Sequence, residues 1–149
     1  MSASTEALLT AARTRLLTFT PATGDTLGTL LTGGLWVAQA PADVGYPYGL
    51  LRLMNRIQTP GYGGYRETGD LELVLLHRGR EHEYDVEAML DVADQAMLGW
   101  WDVGTGATWA GHRLRDMLPP APAPMDRTVV QARWVCSYRC WLEYLTQYL

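Results

Sequence analysis

The chain has 149 residues, 48% of them apolar and 19% charged, with a formal net charge of −4. That apolar content excludes disorder along the whole chain, and the length suits one domain with one core. The acidic balance, with a pI near 5.3, excludes a global basic field that would draw the chain to nucleic acid or an anionic membrane.

Ser4 to Phe19 reads as a helix, with Ser4 as its N-cap and Glu6 in the first turn, where a carboxylate suits the helix dipole. Leu9, Ala12, Leu16 and Phe19 make its buried stripe, and Pro21 stops it. The Thr/Gly-rich stretch to Gly34 reads as a connection with one helical turn at Leu27 to Leu31. Leu35 to Ala40 is a short strand, and Pro41 to Gly49 is a loop held by two prolines.

Tyr48 to Gln58 is the second strand. Alternation places Leu51, Leu53 and Ile57 on one face and Leu50, Arg52, Met54 and Arg56 on the other, a partial pattern that suggests some cover on both faces. Thr59 to Tyr65 holds three Gly, one Pro and two Tyr. It looks too long and too glycine-rich for a two-residue hairpin, so an extended, mobile arm at about residues 58–66 is expected. Gly69 to Arg78 is the third strand, with Leu71, Leu73 and Leu75 on one face and Asp70, Glu72, Val74 and Leu76 on the other. Antiparallel pairing would set Glu72 near Arg52 or Arg56.

Glu83 to Trp101 is the clearest helix. Val86, Met89, Leu90, Ala93, Met97 and Trp100 form its apolar stripe. Glu83, Glu87, Asp91 and Asp94 fill the outer side, read first as a solvated face, with a docking face for an arginine-rich neighbour as the lesser alternative. Gly104 to Gly111 reads as a turn region and His112 to Leu118 as a fourth strand. Pro119 to Pro124 reads as a stiff connector. Thr128 to Tyr144 then alternates cleanly, with Val130, Ala132, Trp134, Cys136, Tyr138, Cys140, Leu142 and Tyr144 on the apolar face. A strand of that length would span roughly 55 Å. It must bend or project past its own domain, and an exposed apolar end would need a partner.

Cys136 and Cys140 would lie roughly 13 Å apart along that strand, too far to bridge, so buried free thiols are expected, as in a reducing compartment. All twelve basic residues are arginine, a bias that GC-rich coding explains and that also suits bidentate interface pairs. No phosphate-binding loop or nucleophile motif occurs. The run His77 to Asp85 offers two His and several carboxylates at no metal-ligand spacing, so helix capping explains it better. Met1 to Arg15 lacks the order of a signal peptide. The class expected is α+β: a mixed, mainly antiparallel sheet of four to five strands, flanked by an N-terminal helix and one long amphipathic helix, in a single domain over residues 1–149.

This order of elements resembles the tail-terminator (tail-completion) proteins of long-tailed bacteriophages and phage-like particles. The resemblance is carried by Tyr46-Pro-Tyr-Gly-Leu50 entering a strand and by Gly69 to His77 running into the helix at Glu87 to Leu98. Gly111-His-Arg-Leu114 and the final strand Arg133 to Tyr144 continue it. It implies a structural virion protein assembled in the host cytoplasm. Such a protein forms a hexameric ring at the head-proximal end of the tail tube, with tube and neck or head-completion proteins as partners, and with no enzyme activity, cofactor, metal, membrane or direct nucleic-acid contact. Tyr62, Tyr65 and Arg66 on the arm and Arg133, Arg139 and Trp141 on the last strand are the expected interface residues. Two alternatives stand beside this reading: another head–tail joint or minor tail component, and a small ligand-binding module or enzyme with a pocket lined by Trp100, Trp101 and Trp109.

Overall fold

The computed structural model describes residues 3–79, 83–98, 100, 108–118 and 129–143. In chain order these form α1 (Ala3–Thr18), α2 (Leu27–Leu30), β1 (Leu35–Val37), β2 (Tyr48–Gly61), β3 (Gly64–Arg78), α3 (Glu83–Leu98), β4 (Thr108–Leu118) and β5 (Val129–Glu143). The strands make one five-stranded sheet in the order β1-β2-β3-β5-β4. Only β1 and β2 run parallel; every other neighbouring pair is antiparallel. The class is α+β, as the sequence leads one to expect. The proline connector at 119–124, Tyr144, Trp101 and residues 80–82 of the histidine-carboxylate run lie outside the described residues.

One contiguous core joins helices to sheet. Leu8, Leu9, Ala12 and Leu16 of α1 and Val86, Met89, Leu90, Ala93 and Met97 of α3 are buried against Leu71, Leu73 and Leu75 of β3. Ala132, Trp134 and Cys136 of β5 complete the contact. Alternation in β3 and β5 puts every second side chain on this helix-facing side, so both strands read directly from period two. α1 begins at Ala3, which sets Ser4 inside the first turn rather than at the cap, and α3 ends at Leu98, before the tryptophan pair. β1 stops at Val37, because Ala38 takes a left-handed backbone (φ 66°) that breaks the extended run.

Three expectations are corrected in the β2–β3 hairpin. First, Met54 pairs with Asp70 but Ile57 pairs with Thr68, so Asn55 and Arg56 together face a single residue. This bulge, with Asn55 at φ 52°, inverts the alternation. Ile57 therefore leaves the face of Leu51 and Leu53 and stands 65% exposed, while Arg56 reaches the helix-facing side. Second, no slack arm separates the strands: pairing continues to Gly61 and Gly64, closed by a two-residue turn at Tyr62-Gly63, with Gly63 supplying the positive φ of 79°. Third, β3 starts five residues before Gly69 and pairs with β5 along its whole length, from Gly64 with Glu143 to Arg78 with Val129. The far end of the last strand is thus a member of a three-stranded extension, and its Cys140 is buried. On the other side of β5, β4 begins at Thr108, inside the stretch expected to be a turn.

Candidate assembly surface

The sheet has two unlike faces, and polar groups on both are placed by the strand register. On the helix-facing side, the odd-numbered series of β3 continues past Leu71 and Gly69 to Glu67, whose side chain is fully buried. Glu67 accepts from Arg56 Nη2 and Gln58 Nε2, both at 2.7 Å to Oε1, and from the Tyr138 hydroxyl at 2.6 Å to Oε2. Gly69 makes the last bond possible. Tyr138 is its cross-strand partner, and a Cβ on Gly69 would lie 2.7–2.9 Å from the phenol. The ring lies over the bare backbone and reaches the carboxylate two residues away. Burial alone would raise the Glu67 carboxyl, but the hydrogen bonds from Arg56, Tyr138 and Gln58 outweigh it and hold the group below the usual carboxylate range. Burial, and then donation to Glu67, push the Tyr138 hydroxyl upward.

A second buried polar contact ties the helix layer to the sheet. Trp134 Nε1 donates to Asp94 Oδ1 at 2.6 Å, with Trp134 fully buried and Asp94 9% exposed. Asp94 is therefore not on the solvent side of α3, where its chemistry alone would place it.

The opposite face of the sheet carries a stripe of paired charges. Arg52 Nε donates to Glu72 Oε1 at 2.5 Å, and Arg133 Nε donates to Glu72 Oε2. Arg52 is thus the arginine that meets Glu72, and Arg56 goes to Glu67 instead. Beside this trio, Asp70 accepts from Asn55 Nδ2 at 2.9 Å and from the Ser137 hydroxyl at 3.0 Å. Beyond Asp70 the face becomes open. Arg66 and Arg139 are exposed, Trp141 is 37% exposed, and Tyr62 at the turn is fully exposed. The Trp141 ring crosses the sheet to cover Gly61, where a Cβ would lie 3.0 Å from the ring. A shallow cavity of about 470 Å³ opens between Trp141, Arg66 and the turn residues Pro60 and Tyr62.

Of the six residues expected at an interface, Tyr62, Arg66, Arg139 and Trp141 share this exposed end of the sheet. Tyr65 packs partly into the core, and Arg133 is engaged with Glu72. Sequence reading missed Glu67, Asp94 and the bulge. Of the three tryptophans expected to line a pocket, Trp101 lies outside the described residues. Trp100 is half-buried beside the Arg15 guanidinium, which stands 6.0 Å from its ring. Among the described residues, no group of three or more metal-ligating side chains occurs, and no helix is long and apolar enough to cross a membrane.

Cys136 and Cys140 are free and buried. Burial pushes their thiols up to about 12 and about 11, helped by the charges of Asp70 and Asp94 at Cys136 and of Glu67 at Cys140. The thiolate is the reactive form. Titration of the native protein with a thiol-exchange dye at pH 8 should therefore modify neither cysteine over minutes, and both within seconds once denaturant is added.

No family model matches the chain, and no curated protein matches it. A solved structure does. A chain from the virion of a native gene transfer agent (GTA) particle superposes with a TM-score of 0.73, covering 95% of this chain and 99% of that one at 14% identity. The two chains share one fold.

Proposed function

We propose that this chain is a structural component of a virion that closes the head-proximal end of a tail tube as a ring of about six copies. In that place it ends tube growth and presents a surface to a neck or head-completion protein. The observation that carries the reading is the fold likeness to a virion chain, which spans almost the full length of both proteins. The element order, read independently from sequence, points to the same class. The molecule's own chemistry supports it. Its buried polar groups are tied into internal contacts, while tyrosine, tryptophan and arginine are left exposed together, as interface anchors are.

The test is negative-stain imaging and sedimentation of the purified full-length protein, with tail tube protein added in a second arm. Closed rings that shorten or cap growing tubes are expected. A strict monomer at high concentration that leaves tube growth unchanged would overturn the reading. Tyr62→Ala should leave the thermal melt within about 0.5 kcal/mol of the parent, because an exposed turn side chain contributes little to the fold. The same variant should weaken ring formation.

A further inference from the structure

The described residues include four exposed large apolar side chains. Three of them, Ile57, Tyr62 and Trp141, sit at the hairpin end of the sheet, and the fourth, Tyr84 at 88% exposure, sits on α3. The two places also differ in charge. At the hairpin end the side chains of Arg66 and Arg139 are exposed and make no ion pair among the described residues. They flank Trp141: Arg66 is its cross-strand partner, and Arg139 lies two residues before it on β5. Helix α3, by contrast, holds Glu83, Asp85, Glu87, Asp91 and Asp94 and no basic residue at all. With Asp94 turned inward to Trp134, the outward stripe runs through Tyr84, Ala88, Asp91 and Gln95, with Asp85 and Glu87 beside it.

We propose that these two surfaces are the halves of one head-to-tail interface: the Trp141–Arg66–Arg139 end of one copy docks on the acidic outer stripe of α3 in a second copy. The surfaces lie on different layers of the molecule, one on the sheet face away from the helices and one on the helices. They can therefore meet only between copies, and each copy offers both. A heterologous contact of this kind builds a ring when its rotation closes. Opposite charge selects the partner face, and the aromatic anchors supply the buried area. Asp85, Glu87 and Asp91 already take part in contacts within their own chain, and a carboxylate has lone pairs for more than one donor. The inference rests on the ring reading above and adds which surfaces make the ring.

The test uses full-length protein and charge reversal, read by sedimentation velocity, with thermal melts as a control for folding. R66E/R139E should melt like the parent, since both side chains are exposed and unpaired, yet need at least about tenfold more protein to half-assemble. D85R/D91R should show the same loss of assembly, with its melt read beside it because Asp85 and Asp91 also make contacts within their own chain. Mixing the two variants should restore assembly, because each reversed sheet end then meets a reversed helix. Assembly of R66E/R139E at the parent's concentration would overturn the interface and leave the ring reading standing. A folded mixture that fails to assemble would also overturn the interface. A monomeric parent would overturn both.

Discussion

Glu67→Ala should lower unfolding stability by about 3 kcal/mol, the low end of what breaking a buried ion pair costs, because Arg56 can still turn to water. The carboxylate is fully buried and takes three donors. Without it, the Tyr138 hydroxyl loses its bond to the Glu67 carboxylate. For a chain of this size the midpoint of thermal unfolding should fall by about 6–12 °C. Tyr138→Phe removes one donor and keeps the ring over Gly69. It should cost about 1–3 kcal/mol, and the double variant should cost less than the two singles added, since both remove the same bond. Urea unfolding of the four proteins closes the cycle.

The same carboxylate fixes a pH dependence. Its folded value lies below its unfolded value of about 4.3. The stabilisation is therefore complete above that unfolded value and is lost as pH falls through the folded one. Acid unfolding of the parent should be steeper below about pH 4 than that of Glu67→Ala, and the two curves should run parallel once the parent's carboxyl is protonated.

Which parts of this were legible in the sequence follows from where period two holds. Leu71, Leu73 and Leu75, and Val130 through Cys140, alternate without interruption, so their inward face could be read directly. The second strand could not be read through, because Asn55 and Arg56 share one partner position and nothing in Met-Asn-Arg-Ile announces a bulge. The tight turn was hidden for a similar reason. Tyr-Gly is not one of the usual two-residue hairpin pairs, and the surrounding glycines resemble slack, although Gly61 serves Trp141 and Gly63 serves the turn. Asp94 was assigned to solvent by chemistry, and Glu67 fell between the expected arm and the expected third strand and was given no place. Yet Glu67 extends the odd-numbered series of β3, and Asp94 stands four residues after Leu90 and three before Met97, on the buried stripe. Position carried the signal in both cases, and charge masked it. The sequence marks aromatic residues beside arginine on the hairpin and the last strand. The register that gathers Arg66, Arg139 and Trp141 onto one patch is set by pairing across three strands, which no single segment encodes.

Trp134→Ala should be the most damaging single change, at about 3–5 kcal/mol, a large share of the roughly 5–15 kcal/mol that holds such a domain folded. The indole fills the centre of β5 with no exposed surface. Its Nε1 also joins the sheet to α3 through Asp94. Trp134→Phe separates the two contributions. It keeps most of the packing and removes the donor, so about 1–3 kcal/mol is expected, the cost of depriving a buried carboxylate of one bond. Denaturant midpoints at constant m-value measure both. The assembly readout should then divide the molecule in two. Trp134→Ala loosens α3 from the sheet and should lose assembly and fold together. R66E/R139E should lose assembly from an intact fold. A chain in which these two outcomes could not be told apart would have its docking surface inside its core, contrary to the exposure of Arg66, Arg139 and Trp141.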